Sequence, residues 1–305
     1  MLVKQDYGRL TVSNLIVSIS NSYFENITRT GNGLNQGVIQ AFISSSTGIL
    51  EIINTNFIDC KGDIPSHSQG GALNLAVSGN RQISIQKCKF QSCLAFDGAG
   101  ICAVISTGGQ LTVDGECQFI DCQGYGFGSG LYATVQSTNS LLILNDGLSF
   151  ERCICERQGG GLYISSTYQG AAQVNKVSFD SCKSPEGGGI DLYSSYNTIK
   201  QSFIGTQFIS CNASKNGGGI YAIINGDNSA IELSGVTFQS CESILSGGGL
   251  LIQTKGSVTF TVNELLQFID CQSIDGAGFY LSAGECIIQF VTTDQILFDN
   301  CVASS

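Results

Sequence analysis

The sequence predicts an all-β fold, a parallel β-helix wound from one chain as a solenoid of roughly nine or ten coils. Three observations carry this. Phenylalanines recur at Phe24, Phe57, Phe90, Phe119, Phe150, Phe179, Phe208, Phe238, Phe268 and Phe298, in steps of 29 to 33 residues. Nine of these ten have a cysteine three residues later, from Cys60 to Cys301, whereas the first has Ile27. Between each cysteine and the next phenylalanine lies a glycine cluster, most plainly Gly217-Gly-Gly219. Self-similarity at a fixed period is the signature of a repeat architecture, and its local pattern decides which one.

After each glycine cluster the chain alternates. Leu73-Asn-Leu75, Leu131-Tyr-Ala133, Ile190-Asp-Leu192 and Ile220-Tyr-Ala222 are apolar at their first and third positions. Period two means a strand with one face inward. Turn signals follow, such as Ser78-Gly-Asn80 and Asn225-Gly-Asp227. A second strand, for example Ile83-Ser-Ile85, then runs up to the phenylalanine. Phe and the Cys three residues on cannot share one face of a straight strand, so the chain turns a corner between them. Each coil thus needs two or three short strands, stacked ~4.8 Å from the next coil. Helical repeats fit poorly, because triple glycine costs ~1 kcal/mol per residue in a helix. The linker from Cys60 to Gly70 departs from the pattern and holds Pro65 and the only histidine, His67.

Composition narrows function. The chain has 305 residues, 14 cysteines, 39 glycines, 12% charged residues and a formal net charge of −10. With 42% hydrophobic residues it has material for a core and is no disordered chain. No run of Lys or Arg offers the basic stripe that nucleic acid requires, so no nucleic-acid partner is expected. No stretch approaches the ~20 apolar residues of a membrane span. No signal peptide is visible at Met1-Leu-Val-Lys4. The repeat spans residues 1–305 as one domain. Its opening and closing copies are expected to continue into further coils or caps of a longer protein, since a bare coil edge invites aggregation.

The Gly70-Gly-Ala-Leu73 sequence, the Gly-Gly-Gly-Ile/Leu copies and the Phe-x-x-Cys copies resemble the repeats of the polymorphic outer-membrane protein family of chlamydiae. Surface proteins of anaerobic protists and ciliates carry similar arrays. That family pairs a Gly-Gly-Ala-aliphatic motif with Phe-x-x-Asn, and here cysteine takes the asparagine place. The resemblance implies a right-handed β-helix of the pectin-lyase-like class and a role in adhesion at the cell surface or outside the cell.

Candidate sites are few. Metal binding wants paired cysteines or Cys/His clusters, which the spacings do not provide, and no cofactor is expected. The cysteines read as a column of small buried thiols; Cys88 and Cys117, in one column of neighbouring coils, are the candidate disulfide. Two residues past each Phe, a column includes Asp59, Asp121, Arg152 and Asp270. It lacks acids on adjacent coils, and Asp121 with Arg152 reads as a stacked surface ion pair. Tyr132, Tyr163, Tyr221 and Tyr280 form an outward column after the glycines and are the candidate binding face. Asn26 and Asn212 begin glycosylation sequons. The expected function is a non-enzymatic structural or adhesive rod. It would bind a protein or glycan ligand or self-associate through its coil ends. The alternative is a carbohydrate-active enzyme or polysaccharide-binding domain on the same scaffold.

Overall fold

The computed structural model describes residues 2–4, 10–13, 16–29, 37–44, 48–64, 67–284 and 286–304. Pro65 lies outside the described residues. The chain is a parallel β-solenoid of about nine turns, about 30 residues each. Every strand pairs in parallel with its counterpart one coil away. One turn serves as the pattern. Gln207–Ile209 carries the phenylalanine and Asn212–Asn216 follows the cysteine; Ile220–Ile224 follows the glycines and Ser229–Ser234 leads back. Their equivalents stack into four sheets of eleven, eight, ten and ten described strands, called here sheets I to IV in that order. The register is one to one: Phe208 sits over Phe238, and Ile220 over Leu250.

Four strands per coil exceed the expected two or three, and the reason is backbone geometry. The run leading up to each phenylalanine is broken three residues before it. Asn21, Asn54, Lys87 and Lys176 there hold φ of 49° to 53°, and Gly147, Gly205 and Gly235 take the same place in other coils. A second left-handed residue lies two past each phenylalanine. Asn26, Asp59, Ser92, Asp121, Arg152, Ser181, Ser210, Ser240, Asp270 and Asn300 all hold φ between 48° and 55°. A single left-handed residue swings the strand direction sharply, so the chain turns a tight corner after each of these phenylalanines and, up to Phe238, another before it; Leu265 and Gln295, at the same place before Phe268 and Phe298, are not left-handed. For non-glycine residues this costs roughly 1–2 kcal/mol, which the stacked core must offset.

The core does so with an unbroken stack. The ten phenylalanines from Phe24 to Phe298 form nine ring pairs, with centroids 4.6–5.1 Å apart and planes within 9°. Burying each ring contributes ~1.5–3 kcal/mol. Opposite stand the paired apolar residues of sheet III, such as Ile220 and Ala222, and those of sheet IV, such as Ile231 and Leu233. The glycines fit the gap that remains. A Cβ on Gly219 would lie 2.5 Å from Phe238, so the third glycine of the cluster is what lets the next ring close over it. The first glycine has φ of 55° to 73° in all eight clusters and takes a conformation that favours glycine.

Each thiol at the corner has a defined acceptor. The Cys211 Sγ points to the carbonyl oxygen of Phe179 one coil back at 3.4 Å, and all nine ladder cysteines repeat this contact at 3.4–3.8 Å. Such S–H donors are weak. In some coils the other corner does the same: Thr206 Oγ1 donates to Val174 O at 3.0 Å, and Cys88 Sγ to Ile52 O at 3.5 Å, whereas Leu148, Val177 and Val236 fill that place as plain apolar residues. Cysteine thus does at one corner what threonine or cysteine does at the other. It fills a small inward site and donates to the preceding coil.

Candidate functional site

Position in the coil decides what each surface side chain can do. The connection from sheet II to sheet III swings outward and lies against the first outward position of the next strand. Its residues bridge from coil to coil, as Phe127 to Gln158 and Asn216 to Ser246 do. This connection acts as a strap. It covers the column Asn74, Cys102, Tyr132, Tyr163, Asp191, Tyr221, Leu251 and Tyr280.

The expected binding face is therefore corrected. Tyr221 is only 6% exposed, and its hydroxyl donates to Gln253 Oε1 at 2.9 Å. Tyr132 and Tyr163 stack at 5.4 Å beneath the strap residue Phe127, whose ring lies 4.9 Å from Tyr163. Tyr280 is half-buried. Period two assigns these residues to the outer side of the sheet but carries no information on the strap that folds over them. Burial raises the Tyr132 and Tyr163 hydroxyls far up and that of Tyr221 to about 12, so all three stay neutral donors.

The same column holds Asp191, 1% exposed, with Oδ2 lacking any partner. Burial, and secondarily Glu186 on the strap, pushes its carboxyl far above the usual range, so it is held as the neutral acid. The strap above it carries a register shift between Ser184 and Glu186. Asp97, on another strap, is also raised by burial, although its Oδ1 accepts the Phe127 N–H at 3.0 Å.

The remaining sequence candidates fall as follows. Cys88 and Cys117 stand in register on successive coils but are free thiols, as are all fourteen cysteines. Their side chains point the same way along the column, and the Cys117 sulfur accepts the Cys88 N–H at 3.3 Å. The disulfide expectation is corrected accordingly. Burial also pushes the Cys182, Cys241 and Cys102 thiols upward, and that of Cys155 to about 11. Enclosure keeps such thiols out of reach of a substrate. Arg152 grips Asp121 with both ends of its guanidinium, at 2.8 and 3.1 Å, as expected for the stacked pair. Both are exposed corner residues, so the pair contributes little. His67 is exposed and tilts against Phe96 at 4.4 Å. Asn26 is an exposed corner residue. Asn212 lies half-buried on sheet II, and its Nδ2 donates to Glu242 at 3.2 Å. Among the described residues no group of three or more His, Cys, Asp or Glu is placed to hold a metal ion, and no helix is long and apolar enough to cross a membrane.

What stays open to solvent is the fourth strand position of sheet III and the row of turns from sheet III to sheet IV. A cleft of about 510 Å³ lies there, lined by Tyr193, Ile223, Asn225, Gln253, Lys255 and Ser282 among others. Farther along the row, Tyr168 and Tyr196 stand exposed on successive turns, centroids 4.5 Å apart. Sequence reasoning passed over both tyrosines because they lie in turns, outside the strand columns. Their recurrence 28 residues apart in Thr167-Tyr-Gln and Ser195-Tyr-Asn was the available signal.

No family model matches the chain, and neither a curated protein nor a solved structure does.

Proposed function

We propose that this chain is a non-enzymatic, rigid rod that works at the cell surface or outside the cell, carrying partner contacts on its turns. The observation that carries this reading is the uninterrupted Phe24–Phe298 stack, which makes one stiff core out of every coil. A rod of this kind suits display and spacing. The resemblance of the Gly-Gly-Ala-Leu and Phe-x-x-Cys repeats to surface proteins supports the same placement. Asp191 supports the non-enzymatic part. It is the acid whose environment is most altered, yet the strap seals it from any substrate. Binding to an oligosaccharide array, followed by an assay for new reducing ends, tests the proposal. Binding without turnover is the expected result, and release of product overturns it.

A further inference from the structure

We infer that Tyr168 and Tyr196, with the cleft that their chain neighbours Gln169 and Thr198 line, form a binding site for a neutral saccharide. This inference rests on the reading of the rod as a surface that binds partners, and it names the partner class and the place.

The two rings are 58% and 48% exposed and lie at 40° to each other on successive coils. Tyr168 and Gln169 both hold left-handed backbone, with φ of 49° and 70°. Bulky side chains rarely adopt that conformation, and it costs about 1–3 kcal/mol where it occurs. The corner residues that share it are repaid by placing a neighbour in the core. Tyr168 instead presents its ring to solvent, while its backbone serves the tight turn that the Gly170 N–H closes onto the Thr167 carbonyl at 3.1 Å.

Gln169 and Thr198, close to the tyrosines along the chain, line a cleft of about 410 Å³, within the ~300–1,000 Å³ typical of ligand sites. Thr138, Asn139, Gln169, Thr198 and Lys200 surround it, over a floor that includes Leu141. Hydroxyls and amides both donate and accept, as sugar hydroxyls do. Thr138 Oγ1 donates to Gln169 Oε1 at 3.0 Å, which leaves the Gln169 amide nitrogen as a donor. Aromatic faces beside such groups suit the apolar face of a pyranose ring. A single cation in the lining does not suit a polyanion, and the scarcity of large apolar side chains does not suit the centre of a protein interface. The lining comes from three successive coils, a run of about 10 Å along the rod, enough for more than one sugar unit in line.

The test uses the purified chain and neutral cello-, xylo-, manno- and chito-oligosaccharides from tetra- to hexasaccharide, with galacturono-oligosaccharides as the charged arm, read by titration calorimetry. At least one neutral series should bind. Tyr168→Ala and Tyr196→Ala should each weaken it about tenfold or more, while Tyr125→Ala, at another exposed tyrosine, should not. Circular dichroism should show all three variants folded. Bound oligosaccharide should also protect Tyr168 and Tyr196 of the unaltered chain from nitration, a readout independent of any substitution. The site is overturned if no neutral series binds, if only the charged arm binds, or if neither substitution nor nitration registers the sugar. Capture of a protein through these tyrosines in place of a sugar also overturns it. Sugar binding that depends on both tyrosines but ends in cleavage upholds the site and overturns the non-enzymatic reading.

Discussion

The two tight corners beside sheet I and the two looser connections around sheet III solve the same problem differently. At the corner after each ladder phenylalanine, one left-handed residue is followed by one small inward side chain, a thiol that donates to the coil behind in every copy but the first, which has Ile27. That construction repeats from Asn26 to Asn300 with hardly any variation in φ. The looser connections vary. The sheet II strands that lead into the straps range from the two-residue Glu242–Ser243 to the longer Asn212–Asn216, and the turns carry Gly, Asn, Tyr or Lys. The corners show where the chain is bound to its core. The straps and turns show where it is free to differ: a strap covers the sealed Asp191, and the open Tyr168–Tyr196 pair lies on turns.

Substitutions can break this contrast, beginning with the largest effect. Phe208→Ala removes a fully buried ring from the middle of the stack and should cost ~3–5 kcal/mol in a denaturant melt. Gly217→Ala puts a side chain on a backbone with φ of 65° and a Cβ 2.4 Å from the Ile220 carbonyl, and should cost at least ~2 kcal/mol in the same melt. Ser210→Gly, at the corner, should fall near zero, since relief of left-handed strain and gain of unfolded-chain entropy oppose each other. Asp191 makes the strap pH-dependent. Its folded pKa is raised well above the unfolded value of ~3.9, so the folded state binds the extra proton. Its contribution is present at low pH and is lost as pH rises from ~3.9 through the folded pKa. Urea melts from acid to neutral pH should show Asp191→Asn becoming progressively more stable relative to the unaltered chain. Tyr196→Ala, on an open turn, should move stability by no more than ~0.5 kcal/mol. A thiol titration in denaturant without reductant should count 14, matching the free cysteines.

The repeat made the scaffold readable. Phe208, Cys211 and Gly217 recur so regularly that stacking in register was the only economical arrangement, and the corner between Phe and Cys followed from their opposed faces. The second corner, at Lys87 and its equivalents, was not readable. Lys87, Asn54, Glu116 and Gly205 share no side-chain property there, only a left-handed backbone angle. The site was less legible for a related reason. Alternation correctly put Tyr221 outside the sheet, but outside the sheet and outside the protein are different things once a strap pairs with its neighbours above it. Tyr168 and Tyr196 are set apart by exposure and backbone conformation, neither of which a composition or spacing argument reports.

The uniform corner also bears on how such a molecule changes size. From Cys60 to Cys301 every coil meets its neighbour through a left-handed residue at the same place and the same thiol-to-carbonyl contact, so its two faces are interchangeable. Loss of a segment such as 211–240, which runs from one corner to the equivalent point of the next, would join Ser210 to Cys241 and recreate Ser-Cys at the seam. Duplication would do the reverse. Length is then a heritable variable adjustable in whole coils, each moving the outermost turns by ~4.8 Å, while a feature on one turn, such as the tyrosine pair, could be carried nearer to or farther from either end without being rebuilt.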